Sequence, residues 1–173
     1  MNHKQSGFTL IELIVVMSII AILAAVALPR FINLQAQARA AKLQAFYGSM
    51  KAASALAHAG CLVDLAGLTA PTACTTAAGT VVMEGSSVLM ANQYPAANIL
   101  NATLTGGILT AAQMSTQGAA SLDGYSATLA GTVLTITING STTPANCSFT
   151  YTAAVAGPPL VPAAFSAPVI TGC

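Results

Sequence analysis

Polarity changes three times along the chain. Residues 1–7, MNHKQSG, are mostly polar and give way abruptly to apolar sequence at Phe8. From Phe8 to Leu28 the chain reads FTLIELIVVMSIIAILAAVAL, with Glu12 as its one charged residue. An apolar run of about 20 residues can cross a bilayer as a helix, so this segment is expected to be helical and apolar on every face. After Pro29 the residues remain helix-compatible but become amphipathic. Leu43, Phe46, Met50, Ala53 and Ala57 recur at three- and four-residue steps, a stripe suited to one covering layer, and Lys51 lies well off it. Gly60 is expected to end the helix, as glycine often does at a C-terminus.

A helix of roughly 50 residues would be about 75 Å long, too long for a compact domain of this size. Its first half is therefore expected to project. Pro29 lacks the N–H that would continue the ladder and is expected to kink the helix or loosen the preceding turn. Strand signals follow. Thr80 to Glu84 and Val88 to Ala91 flank Gly85-Ser86-Ser87 as a hairpin. Tyr125 to Leu129, Val133 to Ile138 and Ser148 to Thr152 alternate or carry β-branched residues, and Asn139-Gly140 marks a turn. Ala96 to Thr105 and Ile108 to Met114 read as short helices around Gly106-Gly107, and the Pro-rich tail from Gly157 reads as irregular. The expected fold is α+β: a long N-terminal helical stem packed by its second half on an antiparallel β-sheet head. Its segments are a short polar head (1–7), an apolar helix (8–29), an amphipathic helix (30–60) and a β-rich head (61–173).

Composition sharpens this picture. Of the 173 residues, 55% are hydrophobic and only 5% charged, against about 25% charged in soluble domains. The apolar run explains part of the gap. The rest comes from a surface of Ala, Gly, Thr and Ser, which suits crowding against copies of the same chain. Lys4, Arg30, Arg39, Lys42 and Lys51 are the only basic residues, and all lie in the first third. Nucleic-acid binding by the head is not expected, because displacing counterions needs clustered Lys and Arg. His58, Asp64, Glu84, Asp123 and the tyrosines Tyr47, Tyr94, Tyr125 and Tyr151 are scattered without a catalytic motif, so neither an enzyme nor a cofactor is expected.

The four cysteines make an even set outside the apolar run. If the head is exported, two disulfides are the natural reading. Three connectivities are open in principle, and the spacing suggests Cys61 with Cys74 and Cys147 with Cys173. His58 and Cys61 sit three apart but lack a third and fourth ligand, so no metal site is expected.

A secretory signal would have a shorter apolar stretch followed by a small-residue cleavage site. No polar region follows this one, so the apolar segment is expected to be kept. The charge difference between its flanks is too small to orient it. Glu12 is then the anomaly, because a carboxylate near the centre of a span costs roughly 2.5 kcal/mol or more. It either reaches the headgroups from one turn in or pairs with a cation inside an assembly.

Gly7-Phe8-Thr9-Leu10-Ile11-Glu12-Leu13 resembles the signature of type IV prepilins. Ala27-Leu28-Pro29-Arg30-Phe31 and Asn33-Leu34-Gln35 are most similar to mannose-sensitive haemagglutinin-type pilins. The resemblance covers about the first third of the chain. It implies that residues 1–7 are a leader cut off between Gly7 and Phe8 by a prepilin peptidase, which also methylates the new Phe8 terminus. It further implies that Glu12 neutralises the Phe8 ammonium of a neighbouring subunit, and that Pro29 lies where the helix stretches on assembly. The implied partners are further copies in a helical filament, the peptidase/methyltransferase and an inner-membrane assembly platform. The implied location is the inner membrane before assembly and an extracellular pilus after it. A Cys147–Cys173 bridge would resemble the disulfide-bounded C-terminal loop of these pilins. The implied function is a structural subunit, a major pilin, serving adhesion, motility or surface attachment. The alternative is a type II secretion pseudopilin or a minor pilin. Major pseudopilins generally carry a calcium site near the C-terminus, and residues 124 to 173 contain no Asp or Glu to build one.

Overall fold

The computed structural model describes residues 8–68, 73–98, 106–114 and 124–173, and the chain divides into two units, Met1–Ala38 and Arg39–Cys173. One helix, α1 (Leu10–Leu65), supplies residues to both.

In the first unit every residue from Phe8 to Gln35 is exposed. Ser18, the hydroxyl in the middle of the apolar run, donates to the Ile14 carbonyl at 2.8 Å, so its polar group is satisfied on its own helix. Pro29 lies inside the helix, which runs through it unbroken. Its missing N–H leaves the Ala25 carbonyl without the usual donor four residues on.

In the second unit α1 meets two antiparallel sheets. The first sheet has the order β1-β2-β3, formed by β1 (Ala78–Met83), β2 (Ser86–Ala91) and β3 (Tyr94–Pro95). A short helix, α2 (Ile108–Ala111), follows it. The second sheet is β4 (Tyr125–Ala130), β5 (Val133–Ile138), β6 (Ser148–Thr152) and β7 (Ala164–Phe165), in sequence order. The predicted helical stripe is buried, but it divides. Leu43 and Met50 join Tyr125, Leu134, Ile136, Phe149 and Tyr151 of the second sheet, with Phe46 partly buried beside them. Ala53, Ala57 and Cys61 join Val81, Val88 and Met90 of the first. Small residues on that part of α1 let the first sheet approach closely. α2 contributes to both clusters, with Ile108 and Leu109 in one and Ala111 in the other.

Several expectations are corrected. The helix does not end at Gly60 but continues to Leu65. At Gly60 an added Cβ would come within 3.0 Å of Val81 Cγ1, so this glycine serves close packing rather than termination. Gly67 is the terminating glycine, with φ +73°. The Gly67 N–H donates to the Asp64 carbonyl at 2.9 Å and the Leu68 N–H to the Val63 carbonyl at 3.3 Å, the Schellman arrangement that closes a helix through a left-handed residue.

The first hairpin turns on Glu84-Gly85, not on three residues, so Ser86 and Ser87 belong to β2. Ala96, Ala97 and Asn98 are not helical, and the rest of the helix expected there lies outside the described residues. The second expected helix shortens to Ile108–Ala111. Asn139-Gly140 does form a turn, but it opens a longer connection through a 3-10 turn at Pro144–Asn146. The tail is not simply irregular: β7 pairs Phe165 with Tyr151, and Val169 bridges to Ser148.

Candidate functional site

The start of α1 is built by a local reciprocal cap. The Glu12 N–H donates to Thr9 Oγ1 at 3.3 Å. Glu12 Oε2 accepts from the Thr9 N–H at 3.3 Å and from the Thr9 hydroxyl at 2.9 Å. Thr9 is thus the residue capping the helix and Glu12 the third residue inside it, the capping-box pattern. A carboxylate there also meets the positive end of the helix dipole. Glu12 stands out in the sequence as the one charge of the apolar run, whereas Thr9 was not singled out there. The signal was available, because Thr-x-x-Glu ahead of an apolar run is itself a helix-start pattern. Phe8 lies just before the cap and is 75% exposed, whereas Gly7 lies outside the described residues.

Beyond the cap, Leu10, Ile14, Ile20, Leu23 and Val26 are all more than half exposed. The most apolar 18-residue window of this helix has mean hydropathy 2.8, and none of it is buried. By length and composition α1 can cross a membrane. Apart from the Ala25 carbonyl, left without its donor at Pro29, its backbone pairs within the helix, which is what a helix needs to leave water. Such a surface is stable only against lipid or against other apolar helices.

The other residues singled out from the sequence lie in the second unit. Cys61 is joined to Cys74 with Cα atoms 5.4 Å apart, and Cys147 to Cys173 at 4.8 Å. The first bridge ties the end of α1 to the entry of the first sheet. The second ties the start of β6 to the last described residue, whose carbonyl also accepts from Arg39 Nε at 2.5 Å. Cys61 therefore has no thiol to offer a metal. His58 Nδ1 lies 2.8 Å from the Gln93 carbonyl, and its ring stacks on Tyr94 with centroids 4.0 Å apart. Among the described residues no three His, Cys, Asp or Glu side chains gather as a metal site.

Of the dispersed titratable groups, His58, Tyr94 and Tyr151 come close together, while the described acidic residues lie apart from them. Asp64 accepts from the Cys74 N–H, Glu84 sits in the β1–β2 turn, and Asp123 lies outside the described residues. Tyr125 and Tyr151 are core residues. Burial, the dominant cause, holds the Tyr151 phenol well above the usual tyrosine range, partly offset by a hydrogen bond with Ser54, while nearby Tyr94 pushes it further up. Its hydroxyl donates to the Pro95 carbonyl at 2.5 Å and so links the two sheets.

Comparison with known proteins finds a family match on this same N-terminal segment. The family described as Prokaryotic N-terminal methylation motif matches residues 2–28. Over 60 residues the chain is 50% identical to the fimbrial protein EcpB of Eikenella corrodens, covering 34% of this chain and 38% of that one. It is 46% identical over 54 residues to the type IV major pilin protein PilA of Myxococcus xanthus, covering 29% and 24%. It is also 46% identical over 54 residues to the type IV narrow pilus major component PilA5 of Thermus thermophilus, covering 31% and 47%. The chain thus matches less than half the length of each of these relatives. No solved structure matches it significantly.

Proposed function

We propose that this chain, a type IV pilin by its N-terminal motif and its relatives, is a non-enzymatic structural subunit, the major one, of a type IV pilus filament. The observation that carries the reading is the exposed apolar surface of α1 up to Leu34, with a single carboxylate at its capped start. A surface of that extent needs partners that the described residues do not supply. Lipid serves before assembly, in the inner membrane. Equivalent helices of other copies serve afterwards, in the extracellular pilus. Kinship of residues 27–35 with mannose-sensitive haemagglutinin-type pilins is part of the same proposal.

In this reading a prepilin peptidase cleaves between Gly7 and Phe8 and methylates the Phe8 nitrogen, and an inner-membrane platform adds the processed chain to the filament. Cleavage leaves an ammonium one residue before Thr9. Glu12, held at the helix tip by its cap, takes the Phe8 ammonium of a neighbouring copy. Each charge alone in an apolar filament core is costly, and the two together are tolerable. Because the pair forms between copies, it also sets their axial register. Pro29, where the hydrogen-bond ladder already lacks a donor, is the place where the helix stretches. The two disulfides hold the head together outside the cell, where no reducing system maintains thiols.

Intact-mass spectrometry of sheared filaments tests the proposal. The expected dominant species is a chain beginning at methylated Phe8, lighter by four hydrogens per molecule for two closed disulfides. Its absence from filaments, or its presence only in traces, replaces this reading with a minor-pilin or secretion-pseudopilin role.

A further inference from the structure

Beside α1 from Ser49 to Val63, between that helix and the β1 and α2 elements, the head carries a groove of about 650 Å³. Leu56 and Val82, 64% and 71% exposed, are large apolar side chains lining it, and most of the remaining wall is alanine and valine. Among the described residues lining it, Glu84 alone is charged. Glu84 occupies the first central position of the β1–β2 turn at φ +47°, followed by Gly85 at φ +81°. Such turns require positive φ at both positions and favour Asn, Asp or Gly. A glutamate there bears a backbone cost that local turn chemistry does not explain, and strain of this kind concentrates at functional positions. Its carboxylate accepts a hydrogen bond from Gln113 Nε2, the residue just beyond α2 that also lines the groove.

An apolar groove with one carboxylate fits a segment with large apolar side chains beside one cation. Among the described cations, three are engaged within the head. Arg39 donates to the Cys173 carbonyl, Lys42 lies over the Phe46 ring, and Lys51 lies over the Tyr47 ring. Arg30 is exposed, and beside it Phe31 and Leu34 are 59% and 62% exposed. On a helix, positions 30, 31 and 34 fall within about 100° of arc and about 6 Å of rise, so they form one small patch. We propose that the groove receives the Arg30–Leu34 segment of α1 from a second copy. Phe31 and Leu34 of that copy lie against Leu56 and Val82, and its Arg30 guanidinium meets Glu84. Arginine suits the site because its planar fork can bind a carboxylate in two-point fashion. The apolar contact supplies the attraction, and the charge pair selects which neighbour and which register are accepted. The inference rests on the filament reading above, which brings copies side by side.

The test uses the full chain in cells that assemble it. Sheared filaments are quantified for the unaltered protein, Arg30→Glu, Glu84→Arg and the double exchange. Each single exchange places like charges together and is expected to lower yield about tenfold or more, and the double to recover to within about threefold. Singles at the unaltered level, or a double no better than the worse single, overturn the proposal. A photo-cross-linking residue replacing Val82 gives an arm independent of the charge exchanges. Cross-links joining position 82 to residues 28–34 of another copy support the proposal, and cross-links to any other segment or to a different protein overturn it. The two readings fail separately. Filaments lacking this chain defeat the pilin reading, whereas normal filaments from both single exchanges defeat only the groove.

Discussion

Leu23 and Leu43 are the same residue on the same helix, yet Leu23 is 64% exposed and Leu43 is 0% exposed. Up to Ala38 the apolar side chains have no cover within their own unit, while from Arg39 onward they close two cores. The difference teaches where each region's stability comes from. The head is stabilised by its own packing and closed by two disulfides. The stem helix is started by its Thr9–Glu12 cap, and its apolar side chains have yet to be buried against lipid or other apolar helices. A substitution in the stem should therefore register in assembly, and one in the head core in folding.

The largest effect is expected at Glu12. On the proposed pairing, Glu12→Ala would leave a neighbour's ammonium unpaired in the filament core, a loss on the order of 3–5 kcal/mol. Filament yield is expected to fall by about a hundredfold or more, with the unfolding of the detergent-solubilised head unchanged. Glu12→Gln sharpens the comparison, because glutamine also serves in a capping box but carries no charge. Assembly by Glu12→Gln at the unaltered level would show that the cap, and not the charge, is what the filament needs.

Leu43→Ala should cost about 2–5 kcal/mol of head stability, since it empties a fully enclosed site. Leu23→Ala should leave head unfolding within about 0.5 kcal/mol while lowering filament yield. Chemical denaturation of both variants in the same detergent measures the contrast, and equal shifts would break it.

The smallest effect is expected at Tyr151. Tyr151→Phe removes the hydrogen bond to the Pro95 carbonyl and should cost about 1–2 kcal/mol. The pH dependence has a definite sign. Burial raises the folded-state pKa, while the unfolded tyrosine ionises near pH 10. The unfolded state therefore releases its proton first, and stability present below about pH 10 is lost as pH rises beyond it. In Tyr151→Phe the loss of head stability between about pH 10 and 11 should be shallower. An identical slope in the two proteins would show that this phenol is not the group responsible.

The features legible in the sequence are those that depend on residues close together along the chain. An apolar run shows in any window of its own length, and the helical stripe of Leu43, Met50, Ala53 and Ala57 follows from a 3.6-residue period. Alternation placed β4, β5 and β6 within a residue or two of their observed limits. Even Thr9 was readable from its spacing to Glu12. Features set by contact between distant residues were not legible. One stripe on α1 looks the same whether one sheet or two covers it, and the division after Met50 exists because two separate hairpin systems meet the helix. Gly60 and Gly67 are both plausible helix ends by composition. Only the approach of Val81 shows that Gly60 serves packing and leaves Gly67 to close the helix. β7 has no strand pattern of its own and forms because Phe165 comes to lie beside Tyr151. The sequence by itself determined that the chain is a capped apolar stem followed by a mixed helix-and-strand head, because local periodicity and turn chemistry are written in consecutive residues. The tertiary structure alone decided which sheet covers which turn of the helix, and where a groove is left open beside Glu84. Those outcomes depend on surfaces meeting across long stretches of chain, and no short window contains both sides of such a contact.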